Sequence, residues 1–167
     1  MSVDLAVWEG PRPTSEEEAR TAFDDLGNRF LRSPRTPPTA KITDYVNALI
    51  AHYPELPADD EAEADEVPWG SGPLIENASG PIVYIDMKLN NVVQQGWRHC
   101  VETADSHGLV AFDPQSGTLA NPDPTAPLVA RAPTHRRRGG RVYRWVSLRS
   151  WRWPILRPLL PLFRRFL

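Results

Sequence analysis

The stretch PIVYIDMKL at residues 81–89 is the clearest β-strand signal in the 167-residue chain, and the rest of the fold is predicted around it. Its side chains alternate between two faces, as they do along any strand. One face is wholly apolar and the other is partly polar: Val83, Ile85, Met87 and Leu89 against Ile82, Tyr84, Asp86 and Lys88. The apolar face is predicted to be buried, and the other face is predicted to be partly exposed to water.

The sequence on both sides of this strand predicts further strands and helices. Upstream, residues 3–8 alternate as a first strand, and two apolar stripes within residues 15–53 predict two helices. A short strand is expected over 74–76. Downstream, a third helix ends at Gly108, and a last strand covers 109–112. The order β-α-α-β-β-α-β predicts an α+β fold, a small mixed β-sheet with helices packed on one face.

The composition bounds the class of protein. Hydrophobic residues make up 41% of the chain and charged residues 24%, which suits a globular core. The single cysteine excludes an internal disulfide framework and a cysteine-rich zinc site. Neither a secretory signal nor an apolar run long enough to span a bilayer is evident, so we expect a cytoplasmic protein, membrane-peripheral if its C-terminal end binds lipid.

Charge divides the chain into two unequal parts. Residues 124–167 hold 11 arginines and no acidic residue, whereas residues 1–123 hold 21 acidic and eight basic residues. The formal charges are therefore +11 and −13. We predict an acidic α+β domain over 1–121, followed over 122–167 by a basic tail, rich in proline, arginine and tryptophan, that is irregular or disordered.

No catalytic residues, metal site or cofactor are predicted. Cys100 and His107 lie about 10 Å apart along one helix, at roughly 1.5 Å per residue, which is too far for proton transfer. Cys100 is instead expected to be a buried structural residue. The candidate metal ligands show no recognised spacing: His52, His99, Cys100 and His107. A carboxylate pair of Asp86 and Asp113 is conceivable, but nothing in the sequence sets their separation.

An acidic segment before the strand at residues 81–89 is the first candidate for a binding surface. Asp59–Glu66 places six carboxylates in eight residues, and Trp69 follows. Such a run is usually a solvated, self-repelling loop, and a Trp69 that packs on the core is an equal alternative. The functional interpretation is a docking surface for a basic protein, anchored by Trp69. The candidate partner-binding residues are Asp59, Asp60, Glu61, Glu63, Asp65, Glu66, Trp69, Tyr84 and Asp86.

The basic tail leaves several interpretations open. Arginines interleaved with tryptophan and leucine suit an anionic membrane interface, and the arginine run resembles arms that neutralise nucleic-acid phosphates. Alternatively, the tail is unstructured, or it is the product of translation in a shifted reading frame. The candidate contacts with anions or a membrane are Arg136, Arg137, Arg138, Trp151 and Trp153. Nucleic-acid binding is not expected of the acidic body.

Three motifs resemble a family of small actinobacterial proteins. They are DLAVW at residues 4–8, Pro68-Trp69 after the acidic segment, and HGLVAFDPQ at residues 107–115. The resemblance covers about residues 3–120 and leaves out the tail. Some members of the family look like immunity proteins of bacterial toxin systems. No catalytic residues are established for the family, so the resemblance implies none here.

Together, these features favour a non-enzymatic protein-binding module with a basic protein as its partner, and the resemblance implies an immunity-type inhibitor. A peripheral membrane protein held by its tail is the alternative. A small-molecule enzyme that uses Asp86 or Asp113 in a cleft near Trp69 is the third hypothesis. The sequence does not predict an oligomeric state.

Overall fold

The sheet and its helices are seen in a computed structural model that describes residues 2–55 and 66–121. The elements are, in chain order, β1 (Ser2–Trp8), α1 (Glu16–Leu26), α2 (Ala40–His52), β2 (Ala78–Ser79), β3 (Ile82–Lys88), α3 (Val93–Ser106), β4 (Val110–Asp113) and β5 (Thr118–Leu119). A π-helical turn, Gly27–Leu31, continues α1, and a 3₁₀ turn, Leu74–Asn77, precedes β2. The strand predicted at residues 81–89 and the α+β class are confirmed.

The five described strands form one antiparallel sheet in the order β2-β3-β1-β4-β5. β1 pairs with β3 along its whole length, from Ser2 opposite Lys88 to Trp8 opposite Ile82, and its other edge pairs with β4. The expectation of a mixed sheet is therefore wrong. The crossover through α3 makes β3 and β4 run in the same direction, but β1 lies between them and runs antiparallel to both.

The helices lie on both faces of the sheet, so the prediction that they pack on one face is wrong. α2 and α3 cover the face that carries Leu5, Val7 and Ile85. α1 and the turn after it cover the opposite face, which carries Trp8 and Phe112. Both faces of the central strands are apolar over part of their length, and each apolar face needs a covering layer.

Local capping signals explain where the helices begin and end. Ser15 caps α1, since its side chain accepts a hydrogen bond from the Glu18 backbone amide over 3.2 Å. Thr39 caps α2 in the same way, with the Ile42 amide at 3.3 Å. Gly108, just beyond α3, has a φ of +61°, a left-handed conformation that glycine tolerates.

Two short elements differ from the sequence prediction. The residues expected as a strand at 74–76 form the 3₁₀ turn Leu74–Asn77, whose first backbone amide donates to the Glu55 carboxylate. After β4, Asp113 accepts hydrogen bonds from backbone amides of the turn that leads into β5. Such side-chain bonds to nearby amides define turns that apolar periodicity does not reveal.

Several predicted features lie outside the described residues. They are the tail over 122–167, with Arg136, Arg137, Arg138, Trp151 and Trp153, and the acidic residues Asp59, Asp60, Glu61, Glu63 and Asp65. Among the residues that are described, no helix combines the length and the apolar character of a membrane span.

Candidate functional site

The sheet face under α1 changes from apolar to polar along its strands. At the apolar end, Trp8, Ile82 and Phe112 are at most 2% exposed. Phe23 of α1 packs there, with its ring centroid 5.4 Å from that of Phe112. This apolar cluster ends at the partly buried Tyr84. Beyond Tyr84, the next side chains on the same face of both central strands are half-buried carboxylates.

Two of these carboxylates face each other across the strands. Asp4 of β1 and Asp86 of β3 are directly opposed in the antiparallel register. Side chains in such a pair have Cβ atoms about 4.5–5.5 Å apart, and like charges there destabilise a sheet. Asp113, at the end of β4, supplies a third negative charge that acts on Tyr84. We call Asp4, Tyr84, Asp86 and Asp113 the carboxylate patch.

Tyr84 joins the carboxylate patch to the apolar cluster. Its ring stacks on Phe23, with centroids 6.5 Å apart and planes at 28°, and its hydroxyl hydrogen-bonds to Asp4. Burial, and after it the charges of Asp4, Asp86 and Asp113, raise the pKa of Tyr84 well above its usual value. The hydroxyl therefore stays protonated and serves as a hydrogen-bond donor within the patch.

Asp4 is held in place by several donors. Besides Tyr84, the Ser2 hydroxyl donates to it over 3.2 Å, and the Gln115 side-chain amide donates over 3.0 Å. Burial raises the pKa of Asp4, these hydrogen bonds partly offset that effect, and the charge of Asp86 adds to it. Asp4 is thus an ordered carboxylate whose surroundings disfavour its ionised form.

Asp86 is held by the chain segment that runs beside β3. The Gly70 amide donates to the Asp86 carbonyl over 2.8 Å, and the Ser71 hydroxyl donates to the Asp86 carboxylate. Asn77 in turn donates to the Ser71 hydroxyl over 3.2 Å. A Cβ at residue 70 would overlap the Asp86 carboxylate, so the close approach of this segment requires glycine.

The carboxylate patch has no counter-ion within residues 2–55 and 66–121. The two ion pairs found in those ranges join Arg12 to Asp105 and Lys41 to Glu9, each at 3.9 Å. Lys88 follows on the same face of β3, yet it pairs with no carboxylate in the described part of the chain. The described residues include 15 acidic and eight basic side chains, a formal charge of −7. Among the described residues, therefore, no cation balances the charge of the patch.

Trp69 is a core residue, so its predicted role as an exposed aromatic anchor is wrong. Its side chain is 4% exposed, and its indole N–H donates to the Tyr53 carbonyl over 2.8 Å. Trp69 also forms an antiparallel bridge with Met87, which turns its side chain into the core under α2 and α3. The alternative prediction, that Trp69 packs on the core, is confirmed. Glu66 remains exposed.

The sheet brings together two of the predicted binding residues, Tyr84 and Asp86. Sequence reasoning considered Asp113 as a catalytic carboxylate, alone or paired with Asp86, and not as a binding residue, and it missed Asp4. The alternation of β1 places Asp4 on the same face as Trp8 and was the available signal. The register that sets Asp4 against Asp86 joins residues distant in the chain, so local patterning does not show it.

Cys100 is a structural residue, as its sequence context predicts. It is fully buried, and burial raises the pKa of its thiol to about 12. His107 is engaged through Nδ1 with the Thr103 carbonyl at 2.8 Å. In the described ranges, no three side chains of histidine, cysteine, aspartate or glutamate lie close enough together to bind a metal ion.

A surface depression runs along α1 and is lined by Ser15, Glu17, Glu18, Thr21, Ala22 and Asp25. Its lining includes neither Asp86 nor Asp113.

Three comparisons with known proteins complete this picture. No protein-family model, curated protein or solved structure matches the chain. The resemblance to small actinobacterial proteins therefore stays a prediction from three motifs. The carboxylate patch, with two opposed carboxylates on one sheet face, is the feature that indicates a function.

Proposed function

We propose that this protein is a non-enzymatic binding module that takes a basic protein on its carboxylate patch. The observation that carries the proposal is the direct opposition of Asp4 and Asp86, without a counter-ion among the described residues. One cationic side chain from a partner could contact both carboxylates and offset the repulsion between them. Arginine suits this role best, because its planar guanidinium offers several donors in a geometry that matches carboxylates.

The cost of the patch to the isolated protein supports this proposal. Like charges directly opposed on a sheet cost about 0.2–1 kcal/mol. Burial also raises the pKa of Asp4, which means that its ionised form is disfavoured in the unbound protein. A cation from the partner would reduce the repulsion between Asp4 and Asp86 and would favour the ionised form of Asp4. Binding would therefore stabilise the patch.

The shape and charge of the surface favour a protein over a small molecule. The patch lies on the strands themselves as a half-buried surface. The formal charge of −7 over the described residues supplies a negative field. Such a field speeds the encounter with a basic partner and weakens as salt is added.

The resemblance to the actinobacterial family suggests that the basic partner is a toxin. In that case, this protein would be an immunity-type inhibitor. Two of the three motifs that carry the resemblance meet at the patch. Asp4 begins the motif at residues 4–8, and Asp113 and Gln115 lie at the end of the motif at 107–115. The hydrogen bond from Gln115 to Asp4, 3.0 Å long, joins the two motifs.

A binding titration with the product of the adjacent gene tests the proposal. The double variant Asp4→Asn/Asp86→Asn is expected to bind at least about tenfold more weakly, a loss of about 1.4 kcal/mol. The matched control Glu17→Gln/Asp25→Asn makes the same charge change on exposed positions of α1 and is expected to change the affinity by less than about threefold. Equal losses in both variants, or no binding by the wild type, contradict the proposal.

The alternative of a peripheral membrane protein stays a proposal from the sequence of residues 122–167, outside the described residues. Flotation of the full chain with anionic liposomes tests it. Binding that is lost when Arg136, Arg137 and Arg138 are replaced by glutamine supports a membrane role. No flotation of the wild type rejects it.

A further inference from the structure

Two stacked histidines lie between α2 and α3, apart from the carboxylate patch. His52 ends α2 and His99 lies on α3, and their ring centroids are 4.1 Å apart with planes at 25°. His52 is exposed, whereas His99 is half-buried. The Nε2 atom of His99 is buried and has no hydrogen-bond partner among the described residues.

The stack is part of the junction that seats Trp69. Tyr53, directly after His52, sets its ring nearly perpendicular to both imidazoles, with centroids 4.6 Å from His52 and 5.8 Å from His99. The Tyr53 ring also lies 6.0 Å from the Trp69 ring, and its carbonyl accepts the indole N–H. A displacement of His52 would therefore be passed through Tyr53 to Trp69.

We infer that the His52–His99 stack is an acid-sensitive clasp, which holds α2 against α3 while its imidazoles are neutral and separates when they are protonated. Two protonated imidazoles at this separation repel each other, and partial burial strengthens the repulsion. A proton on the buried Nε2 of His99 would also create a charged donor without an acceptor, which is unfavourable in a buried position.

The charges around His99 act in opposite directions. His52, facing it from α2, disfavours a proton on His99, whereas Glu102, on α3, favours one. The Tyr53 ring faces both imidazoles, and Trp69 packs against Tyr53. Burial, and after it His52, outweigh Glu102 and lower the pKa of His99, and no other charge of the described residues acts on it.

The sign of the pH effect follows from this lowered pKa. An unfolded histidine titrates near pH 6.5, and it binds its proton before folded His99 does as the pH falls. The contribution of the clasp to stability is therefore complete above about pH 6.5 and is lost as the pH decreases through the folded pKa of His99.

The clasp goes beyond the proposed binding function and does not depend on it, although the two regions are connected. Gly70 and Ser71 follow Trp69 directly and hydrogen-bond to Asp86 of the carboxylate patch. Loosening of Trp69 in acid would weaken both of these contacts.

Histidine and tryptophan NMR signals of the full chain, followed between about pH 7.5 and 5, test the clasp on either side of the histidine reference pKa. We expect His99 to titrate below the reference histidine pKa of about 6.5, and we expect the indole N–H signal of Trp69 to shift together with His99. The Trp69 signal is assigned by its absence from the Trp69→Phe variant. A His99 that titrates at or above the reference pKa, or a Trp69 signal that stays still, overturns the proposal.

Urea unfolding over the same pH range separates the clasp from a general effect of acid. One additional proton bound on unfolding increases the unfolding equilibrium constant by up to about tenfold per pH unit. His99→Phe keeps an aromatic ring in the stack and is expected to lose this increase, whereas the control His107→Gln is expected to keep it. Wild-type pH dependence in His99→Phe overturns the proposal, and the NMR titration decides the matter if that variant does not fold.

Discussion

Replacement of Gly96 by alanine is expected to weaken the fold, although alanine has the highest helix propensity. Gly96 lies inside α3 and faces Pro68, the residue before Trp69. A Cβ at residue 96 would lie 2.5 Å from the Pro68 Cβ and 2.7 Å from its Cγ. Carbon atoms in normal contact are about 3.5–4.0 Å apart, so the new methyl group is too close by roughly 1 Å.

Pro68 has little freedom to move away from such a methyl group. Its ring is rigid, and its carbonyl accepts a hydrogen bond from the Lys88 amide of β3 over 2.8 Å. Overpacking of this kind costs about 1–3 kcal/mol, and alanine returns about 1 kcal/mol through its helix propensity. We therefore expect Gly96→Ala to lose about 1 kcal/mol of unfolding free energy.

Gly27 provides the matched control, because it is helical, with φ −59° and ψ −43°, and no atom lies within 4 Å of a Cβ placed there. Gly27→Ala is expected to gain about 0.5–1 kcal/mol. Urea unfolding followed by tryptophan fluorescence measures both variants, with an unchanged m-value as the check on comparability. The prediction is contradicted if Gly96→Ala is as stable as the wild type, or if the unfolding free energies of both variants change in the same direction.

The remaining predictions concern the carboxylate patch, the buried thiol and the α1 interface. Asp86→Asn should raise the unfolding free energy at pH 7 by about 0.2–1 kcal/mol, because it removes the charge opposed to Asp4. The pKa of Asp4 is raised, so its ionisation lowers the unfolding free energy as the pH rises through that pKa. The stability gained by Asp86→Asn should therefore disappear in acid, where Asp4 is protonated. An equal gain at pH 7 and in acid contradicts this prediction. Cys100, with its pKa raised to about 12, should react with a thiol reagent only on unfolding, and rapid labelling of the native protein would show otherwise. Phe23→Ala should cost about 3–5 kcal/mol, because its ring packs on Phe112; circular dichroism of urea unfolding measures this, and a loss under about 1 kcal/mol argues against the packing.

The elements that the sequence predicts well are those set by local patterns. Alternation along residues 82–88 and the capping residues Ser15 and Thr39 act within a few positions, and the structure has a strand and two helix starts there. The face on which α1 packs is not a local property. It depends on a second apolar surface, to which Trp8 and Phe112 contribute from separate strands, and this surface exists only once the strands have paired.

The candidate site divides in the same way. Tyr84 and Asp86 stand out on the partly polar face of one predicted strand. Asp4 belongs to the carboxylate patch because it lies opposite Asp86, which is 82 positions further along the chain. Its role can therefore be recognised only when the strand register is known. Trp69 follows an acidic segment and suggests an exposed anchor, but its pairing with Met87 places the side chain in the core.

The central place of β1 in the sheet has a consequence for synthesis of the protein on the ribosome. Trp8 precedes its neighbour Ile82 by 74 positions and its neighbour Val110 by 102, so β1 emerges long before either strand that will flank it. Until then both of its edges lack their native partners, and unpaired apolar strands of this kind associate readily with other chains. Contacts this distant in the chain also close slowly. Nascent copies of this protein should therefore depend on holding chaperones until the last strands have left the exit tunnel.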